Sequence, residues 1–200
     1  MTAQRDRPAQ VLLIEDSPGD SWLIADILKS GPVPKNVLTM ADGHGAMRYL
    51  RGLGDYAGVP LPDLVLLDLN LPGKTGLDVL REIKSDQSLR TLTVIVLTTS
   101  DANADVNAAY DLNANCYVVK PMDLAEFTKA IRGIEDFWLR VAMLPGSGIQ
   151  RYPRASAQDA SSSSNGPTAF LHKNVRIRIR FLRRAVRGGA IGARPSHRLR

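Results

Sequence analysis

The sequence predicts a doubly wound α/β domain around a five-stranded parallel sheet, and three observations carry that prediction. Short continuous apolar runs alternate with helical patterns over residues 9–144. The runs lack the in–out alternation of a half-exposed strand, as strands buried on both faces of a parallel sheet do. The helical stretches between them open on recognisable cap residues. Strand and helix in strict alternation give right-handed crossovers, with helices covering both faces.

Val11-Leu-Leu-Ile14 is the first strand. Ser17-Pro18-Gly19-Asp20 then opens a helix with an N-cap, a proline at the first helical position and an acid three residues after the cap. Trp22 on that helix is assigned to packing. Asn36–Met40 is a weaker strand. Gly43-His-Gly45 and Gly52-Leu-Gly54 mark helix ends and a loop, not a dinucleotide site. Leu64-Val-Leu-Leu67 and Thr93-Val-Ile-Val-Leu97 are the third and fourth strands, and Cys116–Val119, weaker like Asn36–Met40, is the fifth. Cys116 reads as a small strand residue, since no histidine lies near it in sequence. Thr75-Gly-Leu-Asp78 and Asp123-Leu-Ala-Glu126 repeat the cap-and-acid spacing. In the last helix Leu124, Phe127, Ile131, Ile134, Trp138 and Val141 form one apolar seam that runs until Pro145. The seam is read as packing on the sheet; its 3–4 stepping also suits a homodimer contact beyond the sheet edge.

The chain has 200 residues and 44% hydrophobic side chains, enough to bury a core and to exclude wholesale disorder. Its formal charge of +6 suggests a nucleic-acid or membrane-surface partner until the charges are located. Residues 1–144 hold 14 basic and 19 acidic side chains, whereas residues 145–200 hold 12 basic and one acidic. An acidic body therefore carries a basic tail. Ser147–Thr168 reads as a Ser-rich linker, and Val175-Arg-Ile-Arg-Ile-Arg-Phe181 begins an Arg-rich segment. The expected organisation is one domain over 9–144 and a disordered linker and tail over 145–200. The tail has no helix-turn-helix pattern, zinc spacing or aromatic interleaving, so nucleic acid is the disfavoured partner; DNA binding through the tail is the alternative function. A single cysteine excludes an intramolecular disulfide, and His44, His172 and His197 are too scattered for a local metal site. The N-terminus lacks a secretory signal, and the most apolar uncharged run, Thr91–Ser100, is about half a membrane span. A cytoplasmic location with no membrane span is expected.

The chemistry is written at the strand ends. Glu15-Asp16 follow the first strand, Asp68 the third, Thr98-Thr99 the fourth and Lys120-Pro121 the fifth. In an open parallel sheet these carboxyl ends share one edge, where ligands bind. Three carboxylates side by side repel unless a cation joins them, and an all-oxygen set suits Mg²⁺. A carboxylate beside that metal can serve as nucleophile in phosphoryl transfer, with Lys120 and Thr98 holding phosphoryl oxygens. Gly73-Lys74-Thr75 is not a phosphate-binding P-loop, because Asp68 stands where its first glycine belongs. A Mg²⁺-dependent phosphohydrolase would carry a second acid two residues after its nucleophile, where this chain has Asn70.

The acid pair, Asp68 with the following Leu-Asn-Leu-Pro-Gly-Lys-Thr-Gly76, Thr98, and Tyr117-Val-Val-Lys-Pro121 together resemble the receiver domain of two-component response regulators. Residues 114–121 and 137–145 are most similar to the stand-alone cyanobacterial phytochrome response regulators. The resemblance implies the flavodoxin-like receiver fold. It also implies that Asp68 accepts a phosphoryl group from a sensor histidine kinase, phytochrome-like in this subfamily. Asp16 and Asp68 would bind Mg²⁺ directly, with Glu15 acting through water and Asn70 through its backbone carbonyl. Thr98 and Lys120 would hold the phosphoryl group, Tyr117 would change rotamer as Thr98 moves inward, and Lys120–Pro121 would be cis. Output would be conformational change and protein–protein contact, and the chemistry only self-catalysed phosphorylation and dephosphorylation. Glu15 departs from the commoner aspartate. Thr99 would affect the access of hydrolytic water.

Overall fold

The computed structural model describes residues 7–145. The Ser-rich linker and Arg-rich tail assigned to 145–200 therefore lie, past Pro145, outside the described residues. Five parallel strands, β1 (Ala9–Ile14), β2 (Lys35–Met40), β3 (Leu64–Leu67), β4 (Thr93–Thr98) and β5 (Cys116–Val119), form one sheet in the order β2-β1-β3-β4-β5. The order reverses at β1, so the crevice at the carboxyl ends of β1 and β3 is the switch point of the sheet. Five helices connect the strands: α1 (Pro18–Lys29), α2 (Gly43–Arg51), α3 (Gly76–Ser85), α4 (Asn103–Asp111) and α5 (Leu124–Ile134).

The apolar runs became strands because their alternate residues feed two cores. Leu12, Ile14, Val65, Leu67, Val94 and Val96 pack with Met47 and Leu50 of α2 and Leu80 and Ile83 of α3. Val11, Leu13, Leu64, Leu66, Ile95 and Leu97 pack with Ile24 and Leu28 of α1 and Phe127 and Ile131 of α5. Each fully buried side chain of this size contributes about 1.5–3 kcal/mol. Edge strand β2 alternates half-buried with exposed residues over its first four positions, which explains its weaker sequence signal. The predicted caps all form. Ser17, Thr75 and Asp123 accept backbone N–H groups from Asp20, Asp78 and both Ala125 and Glu126, and Gly52 closes α2 at φ 63°.

Two expectations fail. Trp22 is 69% exposed, because the buried face of α1 is Ile24, Ala25, Ile27 and Leu28, and Trp22 lies on the opposite side. The last apolar seam does not run straight to Pro145. Phe127, Ile131 and Ile134 are buried, but Leu124 and Val141 are exposed and Trp138 is half-buried. The reason is a change of winding: residues Glu135–Val141 are π-helical, and Ala142 N donates to Phe137 O at 2.8 Å. Into the π segment the buried face passes from Ile134 to Leu139, and Leu144, just beyond it, completes the seam.

The turn into the π segment is held by charge. Glu135, 1% exposed, takes Lys35 Nζ on Oε1 at 2.7 Å, Val33 N–H at 3.1 Å and Arg132 on Oε2 at 3.0 Å. Among the described residues no helix is long and apolar enough to cross a membrane.

Candidate functional site

The structure brings the predicted residues to one edge. β1 delivers Glu15 and Asp16, β3 delivers Asp68, β4 ends on Thr98, and Lys120 follows β5. Backbone bonds prolong the sheet just past its strands: Glu15 N donates to Met40 O at 2.9 Å, Asp68 N to Ile14 O at 3.0 Å, and Lys120 N to Thr98 O at 2.7 Å. The functional side chains are thereby fixed by rigid sheet, not by loop. Gly76 is required beside them, since a Cβ there would collide with the Asp68 carbonyl oxygen and the Leu69 backbone.

Glu15, Asp68, Thr98 and Lys120 are buried, while Asp16 and Asn70 are exposed at the mouth. Lys120 Nζ donates to Glu15 Oε2 at 2.6 Å, to Asp68 Oδ2 at 2.7 Å and to Asp20 Oδ2 at 2.9 Å. Asp68 Oδ1 accepts the Asn70 N–H at 3.0 Å, and Glu15 Oε1 accepts the Ser17 N–H at 3.2 Å. The Asn70 amide donates to Thr98 Oγ1 at 3.4 Å and Thr99 Oγ1 at 3.3 Å. Tyr117 is half-buried, and its hydroxyl donates to the Ser100 carbonyl at 2.9 Å.

Burial opposes the charges on Glu15, Asp68 and Lys120, and hydrogen bonding decides the outcome for each. Burial raises the Glu15 carboxyl, and Lys120 only partly offsets it. The Asp68 carboxyl, also raised by burial, ends below its ordinary value because Lys120, the Asn70 N–H and the Thr98 hydroxyl all favour the anion. Burial would lower the Lys120 ammonium, but Asp68, Glu15 and Asp20 together hold it above the ordinary lysine range. Burial pushes the Cys116 thiol up, in keeping with a strand residue and not a nucleophile.

Glu15, Asp16 and Asp68 each bring one oxygen within 4.8 Å of the others. An all-oxygen, carboxylate-rich set with an open side fits a hard divalent cation that keeps some of its water. One correction concerns the backbone: no cis peptide occurs among the described residues, so Lys120–Pro121 is trans. The trans form is preferred for X–Pro by about 0.5–1 kcal/mol, and Lys120 reaches Asp68 from it. One residue escaped the sequence reading. Asp20 carries the acid spacing of an N-terminal helical turn, and that role hid its side chain's reach to Lys120.

This arrangement accompanies a receiver fold, and the chain belongs to the response regulator receiver domain family, which it matches over residues 11–132. It is a two-component response regulator, a class served by sensor histidine kinases. Receiver domains bind a divalent metal, usually Mg²⁺, at an acidic pocket such as Glu15, Asp16 and Asp68 form. The chain is 42% identical to response regulator Rcp1 of Synechocystis sp. over 147 residues, which are 74% of this chain and 100% of that protein. It superposes on the phosphorylated cyanobacterial phytochrome response regulator RcpA with a TM-score of 0.68 at 46% identity, covering 70% of this chain and 99% of that one. For the Mn²⁺-bound form of Rcp1 the TM-score is 0.67 at 44% identity, covering 69% and 99%.

Proposed function

We propose that Asp68 is the phosphoacceptor and that Thr98 and Lys120 are the groups that hold the transferred phosphoryl. The observation that carries this is the Lys120 ammonium 2.7 Å from Asp68 Oδ2, beside a carboxylate cluster suited to a divalent cation. Glu15, Asp16 and Asp68, with the Asn70 backbone carbonyl, would hold Mg²⁺, which when bound neutralises charge on the phosphoryl oxygens. An Asp68 carboxylate oxygen attacks phosphorus as the phosphohistidine N–P bond breaks, leaving an aspartyl phosphate. Lys120, the Asn70 N–H and the Thr98 hydroxyl all favour the Asp68 anion that makes this attack. Few protein groups are needed, because such catalysis is positioning plus charge stabilisation. Dephosphorylation, likewise self-catalysed, returns the carboxylate.

Thr98 and Tyr117 are the switch. Thr98, at the end of β4, would turn toward the phosphoryl group and free space for the Tyr117 ring to move in from its bond to Ser100. One covalent charge would bias this two-state element toward its active form. The cognate kinase is read as phytochrome-like on the likeness to RcpA, the location as cytoplasmic, and the last helix as a homodimer contact. The working domain is residues 9–144, with 145–200 a linker and tail. DNA binding through that tail gains nothing from a family match confined to residues 11–132.

Incubation with Mg²⁺ and acetyl phosphate, followed by intact-mass measurement, tests the assignment. Wild type should gain one phosphoryl group that hydroxylamine removes, and Asp68→Asn should gain none. An adduct that persists in Asp68→Asn would overturn it.

A further inference from the structure

We infer that Asp20 is a positioning residue that competes with the phosphoryl group for the Lys120 ammonium, and so limits how long the phosphorylated state lasts. The inference rests on Asp68 being the phosphoacceptor. An ammonium has three N–H donors, and Glu15, Asp68 and Asp20 take one each. A phosphoryl group arriving on Asp68 brings further oxygens to the same ammonium.

The three present partners are not equally able to let go. The Glu15 side chain is 2% exposed and that of Asp68 is 5% exposed, whereas that of Asp20 is 42% exposed. Once phosphorylated, Asp68 is an acyl phosphate whose donor passes to a phosphoryl oxygen, so the competing carboxylates are Glu15 and Asp20. Leaving the buried Glu15 without its cation is strongly unfavourable. A carboxylate at the mouth rehydrates at small cost. Asp20 is therefore the partner that can yield the ammonium. Its backbone is fixed by the Ser17 cap, 3.3 Å from Asp20 N, so its carboxylate stays beside the site after yielding. There its charge repels the phosphoryl oxygens and draws Lys120 away from them. The aspartate costs the phosphorylated state stability that an uncharged residue of the same shape would not.

The test is the half-life of the phosphorylated protein, made with acetyl phosphate at fixed Mg²⁺ and followed after the donor is removed. Asp20→Asn should lengthen the half-life about three- to ten-fold, the size of one partly exposed charge-assisted bond, and Asp20→Glu should restore the wild-type value. The gain should shrink as salt rises, because Asp20 is open to solvent and its field is screened; a purely structural role would not show that dependence. Half-life is counted per phosphorylated molecule, so a partly unfolded variant still reads correctly, and Asp20→Ser gives a second neutral residue suited to a helix start. A half-life within twofold of wild type in both neutral variants, or a shortened one, would overturn the role of Asp20. Failure of wild type to take up phosphoryl would instead overturn the assignment of Asp68.

Discussion

Two buried lysines sit at opposite ends of the same sheet, and their surroundings differ in charge balance and in access to solvent. At the carboxyl edge, Lys120 serves Glu15, Asp20 and Asp68, with Asp16 close by, so negative charge is in excess and one side is open. At the amino edge, the Lys35 and Glu135 side chains are each 1% exposed and 2.7 Å apart, and Arg132 completes the set, so Glu135 is fully answered. An excess of like charge invites a cation or a phosphoryl group. A buried carboxylate already answered by Lys35 and Arg132 leaves no negative charge to invite a cation, and holds the backbone. α1 touches both: Asp20 in its first turn reaches Lys120, while the Leu28 carbonyl accepts Lys35 Nζ at 2.7 Å.

Breaking the sealed pair should give the largest loss. Glu135→Ala leaves Lys35 uncompensated and should cost about 3–5 kcal/mol in urea unfolding. Mg²⁺ should leave that difference from wild type unchanged, because the acid cluster is intact in both. Lys120→Met also removes a buried charge, but the acids it abandons can recruit a cation. Mg²⁺ should stabilise it by at least about 1 kcal/mol more than it stabilises Glu135→Ala. Equal Mg²⁺ responses in the two variants would erase the distinction between open and sealed clusters.

Lys84 sharpens the comparison, because it is largely desolvated with neutral acceptors. Its Nζ donates to Leu92 O at 2.7 Å and Asn115 Oδ1 at 3.1 Å, and burial lowers its pKa from 10.5 to about 8. Between those two values the unfolded chain binds more protons than the folded one, so this lysine makes stability rise with pH from about 8 to 10.5. Below that window the ammonium is charged in both states and the penalty is constant. Urea unfolding across the window should show the rise in wild type and a weaker one in Lys84→Met; identical slopes would assign the pH dependence elsewhere.

Most of the carboxyl-edge site was legible because strand ends announce it. Glu15, Asp16, Asp68, Thr98 and Lys120 each follow or end an apolar run, and parallel topology alone gathers such positions. What stayed hidden depends on distance along the chain or on side-chain direction. Glu135 pairs with Lys35, 100 positions away, and no local pattern marks either. The π winding was invisible for a related reason: 3–4 spacing fits Trp138 and Val141 in the sequence as well as 5-spacing fits Leu139 and Leu144, and local pattern does not choose between them. Asp20 already had a local explanation as the acid of a capped turn, which concealed its reach to Lys120.

Trp22 gives the smallest effect and a control for both clusters. It is 69% exposed on α1, between the Asp20 and Leu28 contacts but facing away from them. Trp22→Phe should therefore change stability by less than about 0.5 kcal/mol. The substitution leaves Trp138 as the sole tryptophan of the chain, half-buried and edge-on to Phe137 at 5.1 Å within the π segment. Its emission then reports on the sealed end alone. It should be unmoved by Mg²⁺, which acts at the opposite edge, and should shift when Glu135→Ala is added and the segment loses its charge anchor. A Mg²⁺-induced shift in the single-tryptophan protein would mean that α1 couples the two ends, and that the sealed cluster is part of the switch.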